Sequence, residues 1–168
     1  MSKREALIVA AYEAIAREGF EGLRLRAVAA QAGIDHSTLH HYFGTKQDLV
    51  DAVVDHATGQ VRTGTSADGS REERLCRHLG MVGAMIAERP ELHIVLRELD
   101  LRSLRDPRTR ATVAAHEEGW RSSLAGFAGD EVELIIATVK GASLCPEEAP
   151  AVLKSLCELL CGGRPCTF

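Results

Sequence analysis

The sequence has no long uninterrupted apolar run, although 45% of its 168 residues are apolar. A membrane-spanning helix needs roughly 18 consecutive apolar residues, and no stretch approaches that length. The N-terminus, MSKREALIVAAYEAIAREGF, also lacks the cleavage pattern of a secretory signal peptide. We therefore expect a cytoplasmic protein with no membrane partner, whose chain is long enough to bury a real core.

Signatures of disulfide, metal and catalytic chemistry are also missing. The five cysteines are odd in number and irregularly spaced, so they do not describe a disulfide framework. Cys157 and Cys161 lie among leucines, where a thiol behaves as a small apolar residue, and we expect these two and Cys166 to be structural. There is no CxxC, HExxH, GxSxG or phosphate-binding glycine loop. The sequence therefore predicts no enzyme, no cofactor and no metal site.

A strong positive charge is absent as well, because the formal net charge is −4. The total charge alone therefore does not suggest a nucleic-acid partner. The local balance differs within residues 22–47, where Arg24, Arg26 and Lys46 stand against Asp35 and three histidines lie nearby. A small basic island is expected in that segment.

Helical periodicity runs through the chain, with no convincing strand and no internal repeat. In the first segment Leu7, Ala11 and Ile15 recur at helical spacing, and Gly19 supplies a stop. Thr45, with Asp48 three residues later, resembles the capping box of a fourth helix. A linker is expected near residues 63–70, which are rich in small and polar side chains. The pattern predicts an all-α fold of about nine helices, including helices at about 3–18, 36–42, 130–144 and 147–161.

The segment GIDHSTLHHYFGTKQDL, residues 33–49, places three histidines and a tyrosine in one short helix. At about 100° per residue, Leu39 and Phe43 form a narrow apolar stripe on that helix. The remaining arc carries short hydrogen-bonding and aromatic polar groups, namely Ser37, Thr38, His40, His41 and Tyr42. Such an arc fits a DNA major groove about 12 Å wide, so the segment is predicted to be a recognition helix.

Two other roles are open for this segment. His36 and His40 lie four residues apart, a spacing that zinc sites use, but only Asp35 and His41 are near enough in sequence to serve as further ligands. Zinc needs a third and usually a fourth ligand, so a metal is not expected here. A solvated polar helix face is the other alternative, and it predicts no DNA binding.

The N-terminal region resembles the TetR family of bacterial transcriptional regulators. The resemblance rests on the run AVAAQAGIDHSTLHHYFGTKQDLV, with its alanine-rich second helix, its Gly33-Ile34 turn, its Thr-Leu-x-x-Tyr-Phe run and its Lys-x-Asp-Leu start of helix four. Two positions depart from the family pattern. His40 stands where the family often has tyrosine, and Leu23-Arg24 stand where a Ser or Thr usually caps helix two.

The resemblance implies a set of DNA contacts. Polar groups of helix three would contact phosphates or base edges, the small Ser37 would let the backbone approach the groove, and Lys46 would place its charge on a phosphate. The implied DNA-binding residues are Arg24, Arg26, Ser37, Thr38, His40, His41, Tyr42 and Lys46.

The resemblance also implies a homodimer on a palindromic double-stranded DNA operator, and a body that binds a small-molecule inducer. The body matches the family only in being helical. Its last two helices would pair with those of a second copy, with a purely internal core as the alternative. The implied dimer residues are Val132, Ile136, Val139, Val152, Leu156 and Leu160. The candidates to line an inducer pocket are His78, Met81, Met85, Leu96, Arg97, His116, Trp120 and Phe127.

The sequence therefore divides into a helix-turn-helix DNA-binding domain, residues 1–46, and a helical ligand-binding and dimerisation domain, residues 47–168. A ligand-responsive repressor is the favoured function. A dimeric sensing or interaction protein that has lost DNA binding is the alternative, and an enzyme on a helical scaffold is the least favoured.

Overall fold

The computed structural model describes residues 1–61 and 68–163. Most of the predicted linker and Cys166 lie outside these residues. Within them the fold is all-α, and the only other regular pairing is an isolated bridge between Ala125 and Phe127. The helices of the described residues are α1 Lys3–Gly22, α2 Leu25–Gln31, α3 His36–Tyr42, α4 Lys46–Gly59, α5 Arg71–Glu88, α6 Pro90–Ser103, α7 Pro107–Ser123, α8 Gly129–Ala142 and α9 Ala149–Leu160.

Local sequence signals account for the starts of three helices. The predicted capping box of α4 is confirmed, because the Thr45 side chain accepts from the Asp48 backbone N–H and Asp48 accepts from that of Thr45. Reciprocal bonds of the same kind begin α1 and α5 at Ser2 and Ser70. The predicted stop at Gly19 is only an interruption: Gly19 has φ of 67° and ψ of 179°, and helical structure resumes until Gly22.

The chain divides into two compact units. The first comprises Met1–Val61 and Ile94–Ala115. In it α1 packs on α2 and α4, and α2 packs on α3. Its fully buried side chains include Leu7, Ile15, Leu23, Leu39 and Leu49. The predicted domain boundary after residue 46 stays a prediction, and this unit also contains α4, most of α6 and the first half of α7.

The second unit comprises Arg62–His93 and His116–Phe168. In its described part α9 packs on both α5 and α8. A single apolar cluster fills this unit, and its fully buried members include Leu75, Leu79, Ile135 and Leu153. No helix among the described residues is both long enough and apolar enough to cross a bilayer.

Candidate nucleic-acid interface

The turn between α2 and α3 fixes the direction in which α3 leaves α2. Gly33 adopts φ of 67°, a left-handed conformation that favours glycine. The Ile34 N–H donates to the Ala29 carbonyl at 2.9 Å, and the Gly33 N–H donates to the Ala30 carbonyl at 3.1 Å. These two bonds form a Schellman motif, which closes α2 and turns the chain into α3.

Helix α3 has one buried stripe and one exposed polar face. Leu39 is 0% exposed, and Phe43, which follows the helix, is 2% exposed. The opposite arc is open, with Tyr42 at 40% exposure. The polar side chains on that arc are Ser37, His40, His41 and Tyr42, which are exposed, and Thr38, which is half-buried. The predicted apolar stripe is confirmed, and the exposed row leaves these polar groups accessible to a partner.

The first residues of α2 and α3 lack side-chain caps. Asp35 occupies the N-cap position of α3 with an extended backbone, and its residue type and position predict a cap, but its carboxylate caps no backbone N–H of α3, so this prediction is wrong. Arg24 occupies the same position at α2, again without a side-chain cap bond. Arg24 and Arg26 are exposed. Their guanidinium groups therefore remain available for other contacts.

The aromatic side chains of α3 form two edge-to-face pairs. The rings of His36 and His40 meet edge to face with centroids 4.6 Å apart, and those of His41 and Tyr42 do so at 5.7 Å. In residues 1–61 and 68–163, the side chains close enough to share a metal ion are cysteines of the second unit rather than these histidines. The role of this face in DNA contact, and the absence of a metal from it, stay predictions.

Lys46 begins α4 beside the exposed end of α3. Its Nζ donates to the Phe20 carbonyl at 3.4 Å, so it also contacts the C-terminal end of α1. The Phe20 backbone N–H donates to Oε2 of Glu98 at 3.4 Å, and Cζ of Arg102 lies 5.0 Å from the centre of the Phe20 ring. Arg102 also donates to Oε1 of Gln47 at 2.8 Å. Glu98 and Arg102 had no sequence signal, because they lie far along the chain from the residues that they contact.

The pocket candidates lie in two different units. Leu96 and Arg97 belong to the first, and Arg97 pairs with Asp100 at 3.0 Å. The other six belong to the second: His78, Met81, Met85, His116, Trp120 and Phe127. That these eight residues line one pocket stays a prediction.

Within the second unit, His78 and Trp120 form a buried polar pair. Nε1 of Trp120 donates to Nε2 of His78 at 2.9 Å, and His78 is 1% exposed. Burial lowers the pKa of His78 to about 4. Because Nε2 accepts the bond from Trp120, the proton of the neutral ring is on Nδ1. Nδ1 is buried and has no hydrogen-bond partner among the described residues.

Most of the predicted dimer residues are internal to one chain. Val132, Ile136, Val139 and Leu156 are at most 7% exposed and belong to the apolar cluster of the second unit, and Leu160 packs partly against it. They are unsuited to a contact with a second copy, because the chain's own helices cover them. Among the six residues, Val152 is exposed, at 39%. Helical periodicity showed that α8 and α9 are amphipathic but could not show which side faces the core.

Comparison with known proteins identifies the N-terminal region. Residues 7–53 match the family described as "Bacterial regulatory proteins, tetR family". The chain is 33% identical over 60 residues to the HTH-type transcriptional regulator BetI of Rhizobium meliloti (strain 1021), an alignment that covers 36% of this chain and 30% of that protein. Residues 7–53 are thus similar to the N-terminal region of the TetR family.

The whole fold is also similar to that of solved TetR-family structures. A Rhodococcus sp. protein assigned to the family aligns with a TM-score of 0.79 at 23% identity, covering 94% of this chain and 97% of that one. The multidrug binding protein EbrR, complexed with imidazole, aligns with a TM-score of 0.64 at 25% identity, covering 93% and 95%. The alignment with BetI spans less than a third of that regulator. A helix-turn-helix head and a helical body are thus shared with TetR-family transcriptional regulators.

Proposed function

We propose that this TetR-family protein is a homodimeric repressor that binds a palindromic DNA operator and is released by a small-molecule inducer. The observation that carries the proposal is the exposed polar row of α3, opposite a stripe that is fully buried. A helix that only has to keep a surface soluble does not require a row of histidine and tyrosine side chains, nor a Schellman motif that fixes its direction. A helix that reads base edges needs compact hydrogen-bonding groups held at a fixed angle.

Each polar group of the row has a distinct use on DNA. His41 and Tyr42 offer donors and acceptors to base edges or phosphates, and Ser37 leaves room for the backbone to approach the duplex. Arg24, Arg26 and Lys46 add positive charge in the segments that flank α3 in the sequence. The charge is local, because the chain as a whole is acidic.

The DNA-binding step is tested with a duplex that the full-length protein itself selects from a random-sequence pool. Binding of this duplex is then followed by fluorescence anisotropy. We expect His41→Ala and Tyr42→Phe each to weaken binding by about 1–3 kcal/mol, if each removes a base contact. His36→Ala should weaken it less, because His36 lies closest to the apolar stripe. His116→Ala, on α7, is the matched control and should leave affinity unchanged.

Two outcomes of that experiment would contradict the proposal. Failure to select any duplex at moderate salt would favour the alternative of a sensing protein without DNA binding. Equal losses for His36→Ala and His40→Ala, mimicked by a chelator, would instead favour a metal at α3.

The homodimer is proposed on the exposed apolar face of α8 and α9 and the turn between them. Leu159 is 71% exposed, Leu144 68%, Leu134 43% and Val152 39%. Leu134, Val152 and Leu159 lie on the same two helices as the buried residues, and Leu144 lies in the turn between them. One side of each helix therefore packs the core while other apolar side chains remain uncovered. A second copy that presented the same face would remove these leucines from water, at roughly 25 cal/mol per Å² of apolar surface buried.

The dimer is tested by comparing lysine substitutions at two leucines whose side chains are equally exposed. We expect Leu159→Lys to shift the protein toward monomers in sedimentation equilibrium. Leu104→Lys is the control, because Leu104 is also 71% exposed but follows α6 in the first unit. A monomeric wild type, or equal effects of the two variants, would contradict a dimer through α8 and α9.

The inducer is proposed to bind beside the His78–Trp120 pair. The buried N–H of His78 costs on the order of 1–3 kcal/mol while it lacks an acceptor, and a ligand acceptor at that position would recover this cost. Met81 and Met85 follow His78 at helical spacing along α5 and are half-buried. The thioethers of methionine adapt to apolar ligands of varied shape. The ligand class expected is a small planar molecule with a hydrogen-bond acceptor.

Imidazole is a suitable probe, because it is planar, carries an acceptor nitrogen and occurs in the EbrR complex. We expect it to raise the melting temperature of the wild type and to lower operator affinity, since a ligand that binds one state shifts the equilibrium toward it. In His78→Phe both effects should be lost, whereas Glu118→Ala, at an exposed position of α7, should keep them. Unchanged operator affinity in the presence of bound imidazole would contradict inducer release by this class of ligand.

A further inference from the structure

A cluster of arginines lies at the turn between α6 and α7, in the first unit. Residues 101–110, LRSLRDPRTR, contain four arginines against one aspartate, which is a higher local charge than that of residues 22–47. The segment belongs to the same compact unit as α3 and the start of α4. We propose that the α6–α7 surface, formed by Arg105, Arg108 and Arg110, binds phosphates of the DNA backbone outside the groove that α3 reads. The inference rests on the proposed DNA binding and adds a contact beyond the helix-turn-helix.

The positive charge of this surface remains available to an anion. Arg105 and Arg108 are exposed, and among the described residues their guanidinium groups form no ion pair. Nε and Nη2 of Arg110 donate to the carbonyls of Ser103 and Leu104 at 2.9 and 3.0 Å, and both acceptors are neutral. The three side chains therefore keep charges that a phosphate can meet.

The aspartate of the segment is already engaged by its neighbours. Oδ2 of Asp106 accepts from the Thr109 hydroxyl at 2.8 Å and lies 3.3 Å from Nε of Arg102. Oδ1 of Asp106 accepts from the backbone N–H of Arg108 at 3.1 Å. Because the ion pair of Asp106 is with Arg102, its negative charge offsets that arginine more than the exposed ones.

Hydrogen bonds place this surface beside the start of α4. Arg102 donates to Oε1 of Gln47 at 2.8 Å, and Arg105 lines a cleft together with Phe20. The Phe20 carbonyl accepts from Nζ of Lys46 at 3.4 Å. Lys46 is the residue expected to neutralise a phosphate next to α3. The α6–α7 surface therefore extends the positive charge of the DNA-binding head from Lys46 to Arg105 and beyond.

The backbone of a duplex is the partner that suits this surface. Double-stranded DNA carries a phosphate about every 3.4 Å along each strand, so a basic surface beside a reading helix can meet the backbone without any base contact. The planar fork of a guanidinium matches a phosphate in a bidentate bond. Glu21 and Glu98 line the cleft beside Arg105, and their carboxylates repel an anion. Phosphates are therefore expected on the exposed side of the turn and not inside the cleft.

Exposed leucines on the same turn suggest a different partner that the test has to separate. Leu101 is 57% exposed and Leu104 is 71% exposed. Leucines that alternate with arginines also suit the surface of an anionic membrane. DNA is favoured, because the unit that carries this surface also carries α3 and Lys46.

The test uses the full-length protein and the duplex that it selects from a random-sequence pool, extended on each side by about one helical turn. Fluorescence anisotropy measures binding across a series of salt concentrations for wild type and for the double variant Arg105→Gln, Arg108→Gln. Arg110 is kept, because its bonds to backbone carbonyls hold the end of α6. The control double variant Arg77→Gln, Lys154→Gln removes two exposed positive charges from the second unit. Circular dichroism checks that both variants remain helical.

We expect the Arg105→Gln, Arg108→Gln variant to flatten the slope of log K against log salt by about 0.9 for each lost phosphate contact, or about 1.8 for two. The ratio of affinities for the selected duplex and a scrambled one should stay the same, because phosphate contacts carry no base preference. The control variant should keep the slope of the wild type.

Three results overturn the inference: an unchanged slope in the Arg105→Gln, Arg108→Gln variant, an equal flattening in the control variant, or a change in the affinity ratio. Vesicles of phosphatidylcholine and phosphatidylserine test the membrane. Vesicle binding that is lost in the Arg105→Gln, Arg108→Gln variant, with an unchanged slope on DNA, would assign the surface to lipid instead.

The two proposals fail in different ways. If His41→Ala weakens binding of the selected duplex while the Arg105→Gln, Arg108→Gln variant keeps the wild-type slope, only the α6–α7 contact is wrong. If the wild type selects no duplex, the proposed DNA binding is wrong and the α6–α7 contact falls with it.

Discussion

Trp120 and His78 are joined by a hydrogen bond of 2.9 Å between Nε1 and Nε2, inside the apolar cluster of the second unit. The bond links α7 to α5 across 42 residues of sequence. It uses the lone pair of His78 that would otherwise accept a proton. Together with burial, this arrangement keeps the imidazole neutral at neutral pH.

Stability should therefore fall in mild acid through His78. The pKa of this residue is lowered by burial from 6.5 to about 4, so the unfolded chain takes up a proton between these values while the folded chain does not. The contribution is fully present above pH 6.5 and is lost progressively as the pH falls toward 4, up to about 3 kcal/mol. Urea unfolding of wild type and His78→Gln across this range measures it. Parallel stability profiles for the two proteins would contradict the assignment.

Gly33→Ala should destabilise the head by about 1 kcal/mol, because alanine rarely adopts the φ of 67° that the Schellman turn requires. The cost is conformational rather than steric, since a Cβ at Gly33 would meet nothing within 4 Å. Gly59→Ala, at the last residue of α4, is the control: the Cβ is equally unobstructed and φ is not positive. Gly59→Ala should leave the free energy of unfolding unchanged or raise it slightly. Denaturant unfolding measures the free energy of unfolding of both variants, and equal losses in the two would rule out the conformational explanation.

Lys46→Ala should weaken binding to all duplexes alike. Under the proposed function Lys46 neutralises a phosphate, so its removal should flatten the dependence of log K on log salt by about 0.9 for each phosphate that is no longer neutralised. Lys154→Ala, on the exposed side of α9, is the control for total charge. Two results would show that Lys46 acts mainly through its bond to the Phe20 carbonyl. One is a loss of affinity in Lys46→Ala that depends on the duplex sequence, and the other is an unchanged slope of log K against log salt.

Arg102→Ala should lower the free energy of unfolding by about 1–2 kcal/mol. The substitution removes the contact with the Phe20 ring and the hydrogen bond to Gln47. Arg102→Lys keeps a positive charge beside Asp106, whose carboxylate lies 3.3 Å from Nε of Arg102 in the wild type. It loses the planar guanidinium that lies over the Phe20 ring, so it should restore only part of the lost free energy of unfolding. Arg105→Ala, at an exposed neighbour, is the control. Full restoration by lysine would mean that charge alone matters.

The head was predictable because its signals are local. Helix α3 occupies the predicted residues, and the capping box at Thr45 is present as expected. Asp35 shows the limit of such reasoning: it has the residue type and backbone of a cap, yet its side chain makes no capping bond. A residue type permits a local bond, but the side-chain rotamer decides whether it forms.

The sequence by itself determined the helical class, the helix-turn-helix and the similarity of the N-terminal region to the TetR family, because 3.6-residue periodicity, capping residues and a left-handed glycine act within a few positions of the chain. Packing between distant segments decided the rest. It buried Val132, Ile136 and Leu156 inside one chain and left Leu134 and Leu159 exposed. It also placed Cys76 against Cys157, 81 residues away, and joined Trp120 to His78. Periodicity gives the two sides of a helix, and only the tertiary structure determines which neighbour each side meets.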